Sequence, residues 1–218
     1  EMGPRALGNR SIVADPRTAE SLDRINRYVK HREEWRPFAP SILEDAMGYF
    51  VVDPAPAPYM IKTFDVREDA RDRIPAVLHA GDGTTRPQSV RRDQNPRYYD
   101  LIDVFAELTG VPAVLNTSFN DHGEPIVNRP AEAIKDFFGM GLDVVALGDV
   151  LVEKRAAAGR NRGPDTGENA TVVAAVDPQR AAGRFPTSTS ARDTADDPLP
   201  EAALLASEVR SPTRKQWF

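Results

Sequence analysis

The chain contains no cysteine, which excludes a disulfide framework, thiolate zinc sites and a cysteine nucleophile and fits a reducing compartment. It has three histidines, His31, His79 and His122. No His-x-x-x-His or His-x-Asp spacing joins them, so no metal site built by this chain is expected. No segment approaches the roughly eighteen consecutive apolar residues that span a bilayer. Glu1-Met2-Gly3-Pro4-Arg5 also lacks the basic and then apolar layout of a secretory signal. These absences lead to the expectation of a cytoplasmic protein with no membrane partner. There is no surplus of base either: 28 Lys and Arg stand against 33 Asp and Glu, a net charge of −5. Proteins that coat nucleic acid neutralise its phosphates with excess cations, so nucleic acid is not an expected partner. Walker and Gly-x-Gly-x-x-Gly strings are missing as well. What is present is a 40% hydrophobic fraction over 218 residues, enough for one ordinary domain with an appendage.

Composition changes near Lys154. Residues 155–218 are rich in Ala, Gly, Pro, Thr, Ser and Asp, with Phe185, Trp217 and Phe218 as their aromatics. Too few large apolar side chains remain there to offset the entropy of ordering the backbone. The expected division is therefore a folded domain over 1–154 and a mostly disordered, low-complexity tail over 155–218. Within the tail, Ala170–Val176 reads as a strand and Pro200–Val209 as a helix. The chain opens on Glu inside what reads as a motif, as the C-terminal part of a longer polypeptide would.

In the folded part, Ser11–Ala14 reads as a strand running into Asp15-Pro16, an N-cap followed by proline at the first helical position. Leu22, Ile25 and Val29 then predict a helix from Pro16 to Val29, with Lys30 at its exit. Phe38–Leu43 and the alternating Tyr59–Val66 read as strands. Glu44–Tyr49 reads as a helical turn. Ile74–His79 is an apolar run ending in the turn Gly81-Asp82-Gly83-Thr84. Tyr98, Leu101, Ile102, Phe105 and Leu108 mark a helix closed by Gly110. Val111–Leu115 reads as a buried strand, Pro130–Phe138 as a helix, and Asp143–Leu147 with Val150–Val152 as the last strands. Interleaved helices and strands predict an α/β (α+β) domain with helices covering a twisted mixed sheet.

Two strings carry candidate chemistry. Lys30-His31-Arg32-Glu33-Glu34-Trp35-Arg36-Pro37-Phe38 places three cations within seven residues before a rigid apolar stretch. Arg forks match phosphate oxygens, and an extended backbone would set the even-numbered Lys30, Arg32 and Arg36 on one face, with Glu33 and Trp35 on the other. A solvated basic turn is the plainer alternative. The second string is Asn116-Thr117-Ser118-Phe119-Asn120, beyond a strand end where ligands of α/β sheets gather. Its amides and hydroxyl both donate and accept, although an Asx turn would use the same residues. Arg86, in Gly83-Thr84-Thr85-Arg86, and Arg5 and Arg10, around Gly8-Asn9, are further cations at turns. His79 reads as a core-edge residue. Asp82 or Glu124 could meet a magnesium ion carried by nucleotide phosphates.

Read in order, Gly3-Pro4-Arg5-Ala6-Leu7-Gly8-Asn9-Arg10-Ser11-Ile12, Lys30 to Ser41, Asp82-Gly83-Thr84, and Leu115 to Asn120 with Gly123-Glu124-Pro125-Ile126-Val127 resemble the C-terminal domain of the O-carbamoyltransferases. These are the enzymes of nodulation-factor, cephamycin and aminoglycoside carbamoylation. The resemblance covers residues 1–154 and implies the YrdC-like fold of threonylcarbamoyl-adenylate synthase. In that fold a Lys-x-Arg string, here Lys30-His31-Arg32, and a Ser-x-Asn string, here Ser118-Phe119-Asn120, line a nucleotide site. It implies ATP and carbamoyl phosphate as substrates, with Mg2+ brought by the nucleotide. A separate N-terminal domain, in cis or in trans, would hold a metal ion and pass the carbamoyl group to a hydroxyl acceptor. The site residues implied are Lys30, Arg32 and Ser118 at the reacting centre, with Arg10, Arg36, Arg86, Asn116 and Asn120 binding substrate. Three other roles stay open: a non-catalytic docking partner, a truncated inactive fragment, and a synthase of the tRNA-modifying kind that binds RNA together with nucleotide.

Overall fold

Runs of small and branched apolar residues become the centre of a mixed sheet, because strands covered on both faces must be apolar almost throughout. The computed structural model describes residues 4–33 and 35–154, and the backbone of 173–176. Its strands are β1 (Arg10–Ala14), β2 (Ala39–Leu43), β3 (Phe64–Asp65), β4 (Thr84–Thr85), β5 (Gln88–Val90), β6 (Ala113–Ser118), β7 (Val144–Leu147), β8 (Val150–Glu153) and β9 (Val173–Val176). The helices are α1 (Ala19–Arg24), α2 (Pro96–Thr109) and α3 (Pro130–Gly139). Seven strands form one sheet in the order β5-β2-β6-β1-β9-β7-β8, and β3 pairs with β4 in a small second sheet. In the large sheet β2 runs parallel to β5 and β7 to β9, while the other neighbours are antiparallel. The expected mixed α/β class is the observed one.

The core gathers where β1, β2 and β6 meet α2. Ile12, Ile42, Ala113 and Leu115 are fully buried, and Ile102 and Tyr98 of α2 pack on the same cluster. Asn95 caps α2 by accepting from the Tyr98 amide, and Gly110 closes it with φ of 75°, a conformation that spares glycine the Cβ clash. Of the strand expected over Ala170–Val176, residues 173–176 pair between β1 and β7. A segment beyond Lys154 thus completes the sheet. The helix expected over Pro200–Val209 lies outside the described residues.

Several expectations shift. The first helix begins at Ala19, capped by Thr18, whose hydroxyl accepts from the Ser21 amide. Asp15 does not cap it, because its carboxylate is taken by the Arg17 amide and guanidinium. The helix then widens into a π-turn at Ile25–Val29. The alternating Tyr59–Val66 run yields strand only at Phe64–Asp65, since Met60 is held at φ of 53° with its side chain buried. The apolar run after Ile74 is a 3-10 turn, Pro75–Val77. Asn116, Thr117 and Ser118 lie inside β6, not beyond it. Among the described residues, no helix is long and apolar enough to cross a membrane.

A left-handed turn precedes β1. Arg5, Ala6 and Leu7 have φ of 54°, 48° and 50°, and Gly8 has φ of 92°. Each non-glycine residue in this region costs about 1–2 kcal/mol, so surrounding contacts must hold the turn. Asn95 Nδ2 donates to the Leu7 carbonyl at 2.8 Å, and Gly8 lies flat against the Tyr98 ring, where an added Cβ would come within 2.5 Å of the ring carbon Cγ. Gly8→Ala should therefore destabilise the fold by about 3 kcal/mol, the sum of an overpacking and a backbone cost. Urea unfolding of the two chains checks this value.

Candidate functional site

The π-turn decides where the first basic string goes. Its extra residue lets the Lys30 amide reach back to the Ile25 carbonyl (2.7 Å) and the Arg32 amide to the Asn26 carbonyl (3.1 Å). His31 between them adopts φ of 47°. Lys30 and Arg32 therefore share a side through a tight turn, and the expected extended segment is not formed. Asn26, fully buried, fastens the loop: Oδ1 accepts from Arg32 Nε at 2.8 Å, and Nδ2 donates to the Arg36 carbonyl at 3.3 Å. Glu33 does not point away. Its carboxylate lies 3.8 Å from Arg36 Nη1.

Lys30 joins the two strings. The residue is 8% exposed, and its ammonium donates to the Ser118 carbonyl (3.0 Å), the Asn120 carbonyl (2.8 Å) and Asn120 Oδ1 (3.0 Å). All three ammonium donors are thus used. Ser118 Oγ donates to the same Asn120 oxygen at 2.5 Å, and Asn120 Nδ2 donates to the Asp121 and Glu124 carbonyls. The Ser-x-Asn string is therefore a rigid corner at the end of β6, locked by a buried cation.

More cations crowd this corner. Burial lowers the Lys30 pKa to about 8, helped by Arg32 and Arg5 and opposed by Asp121 and Asp136. Arg32 is lowered by burial, Arg36 and Arg5, with Glu33 opposing, and its guanidinium stacks 4.1 Å from the Phe38 ring centroid. Arg5 is lowered by burial and by Arg86. Met60 brings these last two together: its carbonyl accepts from Arg86 Nη1 at 2.8 Å, and its sulfur from Arg5 Nη1 at 3.0 Å. The structure thus links five cations in a chain of repulsions: Arg5 acts on Lys30 and Arg32 and is acted on by Arg86, and Arg32 is acted on by Arg36. Like charges held together in partial burial prepare a site for an anion.

The remaining expected residues stand as follows. Asn116 is fully buried under the corner, where its Nδ2 donates to Ser41 Oγ at 2.7 Å and Gln88 Oε1 at 3.0 Å. Arg10 opens β1, and its carbonyl accepts from the Phe119 amide at 3.0 Å, which ties β1 to the corner through backbone. His79 is exposed, not at the core edge, because its Nδ1 pairs with Asp82 at 2.8 Å. Asp82 also accepts from the Thr84 amide and hydroxyl, and these bonds hold its pKa down to about 2. Glu124 is taken by Lys135. Among the described residues, no group of three or more His, Asp or Glu could hold a metal ion.

With this geometry in view, similarity to known proteins is specific. The family model described as carbamoyltransferase C-terminus matches residues 1–154. The chain belongs to the carbamoyltransferase C-terminus family. It is 49% identical over 161 residues to nodulation protein NolNO of Sinorhizobium fredii, covering 72% of this chain and 24% of that protein. It is also 49% identical over 161 residues to nodulation protein NolO of Bradyrhizobium diazoefficiens, covering 72% and 29%. Against 3'-hydroxymethylcephem-O-carbamoyltransferase of Amycolatopsis lactamdurans it is 37% identical over 154 residues, 71% of this chain and 29% of that one. The chain thus spans less than a third of the length of these curated relatives.

Within this carbamoyltransferase C-terminal segment, sequence reasoning noted Arg5 as a cation at a turn but left it out of the site, and it passed over Asn26 and Met60. Arg5 had a signal, since it sits five residues from Arg10 in the same glycine-containing string. Asn26 and Met60 had none, because a polar residue within a helix pattern and an apolar one within a strand pattern look ordinary. The Lys30 pKa yields an expectation with a definite sign. Its charge is present below pH 8 and lost above it, so the affinity of the corner for a fully ionised anion such as sulfate should fall as pH rises through about 8. Lys30→Arg, which keeps its charge, should lose that inflection, and calorimetric titration of both chains between neutral pH and about pH 9 reads it.

Proposed function

We propose that this chain is the carbamoyl-activating part of an O-carbamoyltransferase. In this reading it binds ATP and carbamoyl phosphate and forms a carbamoyl-adenylate. The observation that supports the reading is the Lys30 ammonium, which ties the Lys-x-Arg turn to the Ser-x-Asn corner through Ser118 and Asn120, with Arg5 and Arg32 close enough to act on its charge. The YrdC-like resemblance, the family and the named cephem O-carbamoyltransferase relative supply the chemical class.

Carbamoyl phosphate first loses its phosphate to one water, giving carbamate and inorganic phosphate. A carbamate oxygen then attacks the α-phosphorus of ATP, the bond from that phosphorus to the α,β-bridging oxygen breaks, and pyrophosphate leaves. Negative charge gathers on the non-bridging oxygens and on the pyrophosphate. Arg32, Arg36 and Arg86 are placed to stabilise it, with Arg5 behind them. Arg10 borders the same end of β1. Lys30 adds positive charge while holding Ser118 and Asn120 in place, and Asn116, Ser118 and Asn120 orient the substrates. A magnesium ion would be held by nucleotide phosphates, because Asp82 and Glu124 are engaged elsewhere. Transfer to a hydroxyl acceptor falls to a metal-binding N-terminal domain in cis or in trans.

Isothermal titration of the 218-residue chain with ATP and with carbamoyl phosphate tests the reading. Both should bind, and Arg32→Ala should weaken ATP by about tenfold to a hundredfold, the worth of a charge-assisted contact. Absence of binding by either ligand, or unchanged affinity after Arg32→Ala and Lys30→Ala together, overturns it.

A further inference from the structure

A polar stripe crosses the sheet beneath the cations. Ser11 pairs with Ser118, Asn116 with Ala39 and Val13, and Ser41 with Val114 and Gln88. Paired residues share a face and alternate residues along a strand return to it, so Ser11, Ser118, Asn116, Ser41 and Gln88 all lie on one side. Such groups are costly in a core unless satisfied. Gln88 Nε2 donates to the Pro58 carbonyl at 3.0 Å, which fixes Gln88 Oε1 as the acceptor toward Asn116 and Ser41. That in turn fixes the Asn116 amide with Nδ2 inward and Oδ1 outward.

The outward side is unsatisfied. Asn116 Oδ1, Tyr98 Oη, Ser11 Oγ and Arg5 Nε are buried atoms without a hydrogen-bond partner. Tyr98 lies beside Ser41, Asn116 and Arg5, yet its hydroxyl closes a well-formed bond with none of them. Solvent does not reach these atoms. Two of them meet at the left-handed turn Arg5–Gly8: Arg5 belongs to it, and the Tyr98 ring packs against its Gly8. Orphaned polar atoms, a strained turn and crowded cations coincide here, and one ligand would satisfy the first and neutralise the last.

We propose that Asn116, Tyr98 and Ser11 form the pocket that recognises the NH2 of the carbamoyl group and so discriminate carbamoyl phosphate from acyl phosphates. This rests on the function proposed above. A carbamoyl group offers two N–H donors to these oxygens and a carbonyl oxygen to Arg5 Nε. An acetyl group of the same shape offers a methyl, leaving the same oxygens orphaned, and sites built to pair an N–H reject the analogue that lacks it.

The test compares dissociation constants of carbamoyl phosphate and acetyl phosphate on the full 218-residue chain, with inorganic phosphate as a probe of the anion site. Carbamoyl phosphate should bind at least about tenfold more tightly than acetyl phosphate. Tyr98→Phe, which keeps the ring on Gly8, should shrink that ratio about threefold, and Asn116→Leu should bring it close to one. Tyr98→Phe alone suffices if Asn116→Leu does not fold. A wild-type ratio near one with inorganic phosphate still bound means that the orphaned atoms hold only an ordered water. The pocket is then wrong and the anion site stands. An unchanged ratio in the variants also overturns the pocket. If none of the three phosphates binds, the functional reading falls and this inference with it.

Discussion

A buried ammonium is the constraint on which the rest of the corner depends. Taking Lys30 out of water is unfavourable unless each of its donors meets an acceptor, and all three acceptors come from Ser118 and Asn120, about ninety residues away in the chain. Several local oddities follow from that requirement. The helix after β1 widens into a π-turn, so Lys30 leaves it pointing at β6. His31 takes a left-handed conformation to turn the chain away again. Asn26 then holds the returning loop from inside. None of these is favourable alone, and π-turns inside helices are found preferentially at functional sites.

The distribution of cations tells the same story from outside. Elsewhere Arg17, Arg67 and Arg91 pair with acids two residues away, and Arg92 and Arg97 with acids on or beyond α2. Such exposed pairs contribute little to stability. At the corner the arrangement is opposite: Arg5, Lys30 and Arg32 are each lowered by neighbouring cations, with Glu33, Asp121, Asp136 and Tyr98 opposing. Surface charge is thus neutralised pairwise while positive charge accumulates beside a buried polar stripe, which gives this corner a positive field.

Much of the architecture was legible because it rests on local signals. The helix closed by Gly110, the helix entered by Pro130 and the strands at Ser11, Phe38 and Val144 follow from periodicity and caps. Failures came where a distant contact overrode the local pattern. Tyr59–Val66 alternates as a strand should, yet Met60 is needed as a fully buried hub under Arg5 and Arg86. Asp15-Pro16 reads as a helix start, but Arg17 captures the aspartate first. The strand at β9 was visible in its composition, whereas its place between β1 and β7 was not.

By itself the sequence determined the residue types of the site and their order, because Lys-x-Arg and Ser-x-Asn strings are matters of spacing along one chain. It also determined the fold class through apolar periodicity. Only the tertiary structure decided that Lys30 spends its donors on Ser118 and Asn120, that Arg5 joins the cluster, and that Asn116 Oδ1 and Tyr98 Oη are buried without a partner. The physical reason is one throughout: burial and charge interaction depend on distance through space, and the segments concerned lie tens of residues apart in the chain.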